Sequence, residues 1–416
     1  MSEISSRATP VAEPRQGGIR AWWIWALAVT FVILLFNVQT GYAILNSRVA
    51  EDLQLSLEQI GFVAACYTWV FAIAQLFSGA LLDRVGARKV LLPAIALVTM
   101  GVFLFAFAES YEMILISQIV LAVGSCAGFV GAGYVGGVWF GMARFGFMFG
   151  LVQLVAALSS AFGQAGFDAA LLRWSWREVM NGFGIFGVGL LLLAMLFVRN
   201  PRPVESSRQQ GGFVAGVLAS IAEVLKKPQI WIVSLVGAIT FGAVLALGVV
   251  WMPKLLVAHG LSESNANWST ACIWLGLAAG SPLIARWSDA TRSRRQPIIL
   301  TTLVQVALVA ALVYMPMSPM LAMALCFCFG FANAGHMLSF SAAADIVPPR
   351  LIGTSASIVN GSMFILGGVL MGLPGKFLDD GATTLAGFQT AMLPCVGTLI
   401  VSGLLAFAIK ESYPRS

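Results

Sequence analysis

AWWIWALAVTFVILLFNV, residues 21–38, contains no charged side chain, and VMNGFGIFGVGLLLLAMLFV, residues 179–198, repeats the pattern. A continuous apolar run of about 20 residues is what an α-helix needs to cross about 30 Å of hydrocarbon. A membrane-spanning strand would instead show alternating segments of about 10 residues. The rest of the chain agrees. Of its 416 residues, 59% are hydrophobic and 10% are charged, against about 25% charged in a soluble globular protein. This composition excludes a soluble enzyme and predicts an all-α polytopic membrane protein.

Hydropathy places twelve spans, near 22–45, 58–82, 89–108, 113–139, 146–170, 178–198, 230–253, 266–286, 297–315, 318–343, 353–376 and 386–409. The first apolar run is too long for a signal-peptide core, so residues 1–20, rich in Pro and Gly, read as a disordered cytoplasmic tail. With both termini cytoplasmic, 19 of the 24 Lys and Arg residues fall on the inner side, as the positive-inside bias requires. The net charge of +6 therefore reflects sidedness and not a nucleic-acid partner. The six cysteines lie in apolar segments, where a thiol behaves as a small hydrophobe.

The longest polar stretch between spans, residues 199–228, reads as a cytoplasmic linker between bundles 21–198 and 229–410, with 411–416 as a short tail. An internal repeat supports the division. Asp83, Arg88 and Lys89 recur as Asp289, Arg294 and Arg295, and Arg144 recurs as Arg350, all at an offset of 206 residues. Two copies of a six-helix unit in the same orientation are parallel repeats.

Between spans 2 and 3 stands GALLDRVGARKV, residues 79–90. Gly79 allows close helix approach, Asp83 can accept from orphan amides, and Gly86 permits a tight turn. Arg84, Arg88 and Lys89 suit headgroups or helix C-termini. The order GxxxDRxGxR resembles the signature loop of the major facilitator superfamily. The second copy, ARWSDATRSRR at 285–295, is degenerate, with Ala285 where the first has Gly79. WSWREVM at 174–180 and SASIVNGSMFILGG at 355–368 resemble the sixth and eleventh helices of the family. Within it, the chain is most similar to bacterial sugar-phosphate-permease-like and organic-acid permeases. The resemblance implies alternating access about one central site, with spans 1, 4, 7 and 10 lining the cavity. It also implies that Gly79, Asp83, Arg84, Gly86, Arg88, Lys89, Asp289, Arg294 and Arg295 form a conformational latch.

Span 5 lacks the Gly-Pro motif of drug/proton antiporters, and spans 1 and 7 lack the arginines with which relatives clamp organophosphate or nitrate. Gln39 stands about where such an arginine would. A multiply charged anion would find nothing to neutralise it there. No Asp or Glu lies near the middle of a span. His336 in span 10 is then the candidate proton carrier, its imidazole titrating in the physiological range, and Asn333 and Ser339 share its face.

Other candidate substrate contacts are Asn37, Gln39 and Tyr42 in span 1, Tyr134 in span 4, Trp274 in span 8 and Asn360 in span 11. Gln153, Ser160 and Gln164 read as an interhelical hydrogen-bonding face of span 5. Met315, Met317, Met320 and Met323, with Cys326 and Cys328, raise the alternative of soft-metal transport. Cys326 and Cys328 are about 200° apart on a helix, so no metal site is assigned.

The sequence thus predicts a monomeric, multi-pass carrier of the inner membrane, not an enzyme, with no cofactor. It would contact lipid and move a small organic solute, an organic acid or amino acid, with protons as coupling ion. An exporter of amphiphiles and a non-transporting sensor are the further alternatives.

Overall fold

The computed structural model describes residues 17–200, 212–378 and 384–414. Residues 1–16 of the expected tail, residues 201–211 of the expected linker and the side chain of Tyr42 lie outside the described residues, while Ile19 and Arg20, expected in the tail, already belong to the first helix. Every regular element described is helical. Eleven helices are long and apolar enough to cross a membrane, and one of them, Phe62–Ala106, has 45 residues, enough for two crossings. It is broken at Gly86, whose φ of 80° lies in the left-handed region that glycine reaches without a Cβ clash. The twelve expected spans are therefore present, with spans 2 and 3 joined through a glycine turn in place of a loop.

In chain order, span 1 is Ile19–Asp52, spans 2 and 3 share Leu57–Ala106, span 4 is Tyr111–Phe140, span 5 is Phe145–Leu171 and span 6 is Trp176–Phe197. After the linker helix Phe213–Leu225 come span 7, Pro228–Ala258, and span 8, Glu263–Ala290. Span 9 is Arg295–Tyr314, span 10 Pro319–Ile346, span 11 Pro349–Phe377 and span 12 Leu385–Ala406. Large apolar side chains such as Ile73, Ile185, Leu196, Trp231 and Leu404 stand exposed on the outside of the bundle. In water these would be a defect, whereas in lipid they satisfy the requirement that only hydrogen-bonded helices and apolar side chains meet hydrocarbon.

The two ends of the bundle terminate their helices differently. The six even-numbered spans each begin with a side-chain cap from the preceding residue: Ser56 to Gln59, Ser110 to Met113, Ser175 to Glu178, Ser262 to Asn265, Ser318 to Leu321 and Thr384 to Gly387. At the opposite end, which carries the basic loops, three odd-numbered spans begin against acceptors from distant parts of the chain. The Arg88 amide, at the start of span 3, donates to Asn200, and the Arg294 and Arg295 amides, at the start of span 9, donate to Glu411. The amides of Gly353 and Thr354 in span 11 donate to Asp83. Caps supplied from a distance satisfy the same orphan amides while tying separate helices together. Both described chain ends lie at this basic face, Gly17 bonding to Trp139 and Lys410 to Gln229.

Arginines close the helix C-termini within the first bundle. Arg88 donates to the carbonyls of Val198 and Met195 at the end of span 6. At the other face, Arg177 donates to Ala106 and Ala108 at the end of span 3, pairs with Asp52 at 3.0 Å and stacks on Trp176. Each cation meets the negative end of a helix dipole.

Candidate functional site

The first and second six-span halves meet along spans 2 and 11 and along spans 5 and 8. Small residues permit both approaches. A Cβ on Gly79 would collide with the carbonyl oxygen of Gly353, and one on Gly150 would lie 2.7 Å from the carbonyl oxygen of Ser281. The second contact accounts for Ala285 at the position equivalent to Gly79: spans 5 and 8 approach through Gly150, and the glycine is supplied by the other helix.

Asp83 seals the first approach. Its carboxylate accepts from the Gly353 amide at 2.8 Å and from the Thr354 amide and hydroxyl at 2.7 Å each. A carboxylate at a helix N-terminus gains both charge-assisted hydrogen bonds and a favourable dipole. Arg84 lies against the linker helix at Gly216, and the same helix holds Arg350 of span 11 through Glu223, with Nη2 to Oε1 at 2.6 Å. The linker helix thus touches both halves.

The repeated motif is used differently in the second half. Arg294, 3% exposed, pairs with Asp289 at 2.7 Å and Asp345 at 3.1 Å, and Arg295 donates to Phe407 at the end of span 12. Arg295 therefore performs the helix-capping duty of Arg88, one position later in the repeat. Lys89 stands exposed at the span 2 to span 3 turn.

Between the halves lies a pocket lined by Leu35, Phe36, Gln39, Phe71, Ser125, Phe129, Gln153, Phe241, His336, Phe340, Asn360, Met363 and Phe364. Spans 1, 2, 4 and 5 of the first half and 7, 10 and 11 of the second contribute. Toward the basic face, Phe149 and Phe340 stack across the two halves with centroids 4.8 Å apart, and Phe129 meets both at 5.8 and 5.9 Å. The pocket is closed on that side. Gln39, which lies further from the basic loops along span 1, is exposed.

Three of the expected contact residues line this pocket: Gln39, His336 and Asn360. Asn360 is 3% exposed, and its Nδ2 has no hydrogen-bond partner among the described residues. His336 Nδ1 lies 2.7 Å from the carbonyl oxygen of Asn333, and its ring lies 4.8 Å from that of Phe241. A carbonyl only accepts, so Nδ1 carries a proton and the neutral ring leaves Nε2 as an acceptor.

Asn37, Tyr134, Trp274 and Asn333 are outside the lining. Asn37 donates to Ile33 and to Ser159 of span 5, and Trp274 packs over Gly248. Tyr134 is half-buried against the core. Asn333 donates to the Thr240 carbonyl at 2.6 Å and to Gln305 at 2.8 Å. Sequence periodicity groups Asn333 with His336, but span 10 tightens over Ala334–Met337, and Asn333 is drawn toward spans 7 and 9.

Pocket residues the sequence left unassigned are Ser125, Met363, Leu35 and six phenylalanines, while Gln153 was assigned to interhelical bonding. Among the described residues no three His, Cys, Asp or Glu side chains converge as a metal site. Cys326 is buried and Cys328 exposed.

Two bundles of six spans around a central pocket, with a glycine-and-carboxylate closure on one face, define a membrane carrier. The family model of the Major Facilitator Superfamily matches residues 26–372, and the chain belongs to that family. It is similar to the uncharacterized transporter YybO of Bacillus subtilis (strain 168), 20% identical over 94% of each chain. It is also similar to the probable galactarate/D-glucarate transporter GudP of Escherichia coli (strain K12), 22% identical over 97% of each. The fold matches the crystal structure of the transporter FucP in the outward conformation, with a TM-score of 0.68 at 16% identity, covering 92% of this chain and 99% of that one. The protein is a multi-pass membrane protein and a secondary transporter of small molecules, not an enzyme.

Proposed function

We propose that the protein moves a small organic acid across a bacterial inner membrane by alternating access, as a monomer, with a proton as coupling ion. The observation that carries this reading is the pocket shared by both halves, with the rings of Phe129, Phe149 and Phe340 packed together toward the basic face. The basic face is then cytoplasmic, by the positive-inside rule, and residues 21–198 and 229–410 rock about the pocket with 199–228 as their tether. Gln39, His336 and Asn360 contact the solute, and Asp83 with Gly79 latches the cytoplasmic side shut. The similarity to GudP supports an acidic solute.

Coupling follows from the tautomer of His336. With Nδ1 donating to Asn333, neutral Nε2 offers a lone pair, which repels a carboxylate. An acid can bind there only with one proton, carried on the ring or on its own carboxyl group. The complex that crosses is then neutral for a monocarboxylate, which avoids the cost of an unpaired charge in a low-dielectric site.

The test is uptake of radiolabelled organic acids into proteoliposomes under an imposed pH gradient, compared with protein-free liposomes. Accumulation that follows the pH gradient supports the reading. Uptake of no organic acid, with transport only of lipophilic cations, would favour an exporter of amphiphiles instead.

A further inference from the structure

The pocket wall has an unusual composition for a carrier of hydrophilic acids. Spans 1, 2, 4, 7, 10 and 11 each place one phenylalanine on it: Phe36, Phe71, Phe129, Phe241, Phe340 and Phe364. Neighbouring rings meet edge to face, Phe71 with Phe364 at 4.8 Å across the two halves and Phe241 with Phe364 at 5.8 Å. Among the described residues no Lys or Arg contributes to the lining.

We propose that the solute is an aromatic monocarboxylic acid and not a polyhydroxylated diacid; this deepens the organic-acid reading above and rests on it. A sugar diacid brings two carboxylates and several hydroxyls. Phenyl rings neither donate nor accept for them, so hydroxyls turned to the ring wall would lose their water without replacement. A second carboxylate would face no cation. An aromatic body instead finds ring edges and faces on several sides, the arrangement that aromatic pairs favour.

The single carboxylate is read from the polar residues. Asn360 Nδ2 is a buried donor without a partner among the described residues, an expensive state that an acceptor group on the solute would relieve. Gln39 and Gln153 add amides to the same lining, and His336 supplies the site of the accompanying proton. A neutral aromatic compound without an acceptor would leave the Asn360 donor unsatisfied.

The test is calorimetric titration of the detergent-purified full chain at pH 6 with four probes: phenylacetate, phenylacetamide, D-glucarate and tetraphenylphosphonium. Phenylacetate is expected to bind at least about tenfold tighter than each of the others. Phe364→Ala should weaken it by about three- to tenfold, the loss expected for one aromatic contact, and Asn360→Leu, which removes the donor offered to the carboxyl group, should weaken it by about fivefold or more. Melting curves of both variants establish that they are folded. If glucarate binds as tightly as phenylacetate or tighter, the inference falls while the organic-acid reading stands. If only the cation or the amide binds, both fall. Binding of none of the four probes also overturns the inference.

Discussion

Gly79 and Gly353 face each other across the two halves with no room for a side chain on either: a Cβ on Gly353 would lie 2.7 Å from the Gly79 carbonyl oxygen and 2.9 Å from Asp83 Oδ1. Backbone meets backbone at this point, and the approach brings the Asp83 carboxylate within reach of the first amides of span 11. A flexible side chain could yield to an added methyl group, but a carbonyl in a helix cannot. Spans 2 and 11 would have to separate.

Gly79→Ala is therefore expected to favour the state in which the basic face is open, without unfolding the protein. Overpacking of this kind costs about 1–3 kcal/mol, enough to shift a two-state equilibrium by about fivefold or more. Accessibility of a cysteine placed at Ser341, which packs near Gly146 at the basic end, measures the shift. Unchanged accessibility would show that the contact does not hold the closed state.

Asp83→Asn should act in the same direction by a different route. The amide keeps one acceptor but presents its NH₂ to donors of Gly353 or Thr354, and the charge-assisted character of the bonds is lost. Hydrogen bonds to charged groups contribute about 1.5–3 kcal/mol, so the closed state should lose roughly tenfold or more in population. The two substitutions share one interface, and their effects should be less than additive in a double-mutant cycle.

His336→Gln separates binding from coupling. Glutamine retains hydrogen-bonding capacity without titrating, so exchange of solute between the two sides of a proteoliposome should persist. Accumulation driven by a pH gradient should be lost. Retained accumulation would place the proton elsewhere in the chain.

Glu411 carries a pH-dependent share of stability outside the membrane. Burial pushes its carboxyl pKa up, but hydrogen bonds from Ser293 and from the amides of Arg294, Tyr413 and Arg295 outweigh this and hold it below the usual glutamate value. A depressed carboxylate pKa stabilises the fold above the unfolded value, about 4.3, and the contribution disappears as pH falls through the folded value. Glu411→Gln should thus lower the melting temperature at pH 7. The gap from the parent protein should narrow as the pH is brought below about 4.3. A constant gap would mean that the carboxylate charge is not what holds the tail.

The spans were legible because hydrophobic length is imposed by the bilayer, not by tertiary packing. Span 9, expected at 297–315, is Arg295–Tyr314, and span 10, expected at 318–343, is Pro319–Ile346. The join between spans 2 and 3 was legible as a glycine turn but not as an almost continuous helix. The candidate site was only partly legible, since periodicity fixes which residues share a face and leaves open where that face points. Asn333 illustrates the limit: Gln305, 28 residues away, and the Thr240 carbonyl hold its amide, and neither partner is visible from span 10. The phenylalanines carry no such signal for another reason. In an apolar span phenylalanine is ordinary filler, and only the assembled bundle shows that six spans bring one ring each to the same space.

In the proposed transport cycle this pocket opens alternately to the two sides of the membrane. The most direct measurement is side-specific labelling of Gln39→Cys in sealed, oriented vesicles, in a background whose six native cysteines are replaced. With Asp83 and Gly79 intact, an impermeant maleimide should react from the face opposite the basic loops. With Gly79→Ala added, reaction from that face should fall and reaction from the basic face should rise. Labelling from the same face at the same rate in both backgrounds would show that the pocket does not alternate between the two sides.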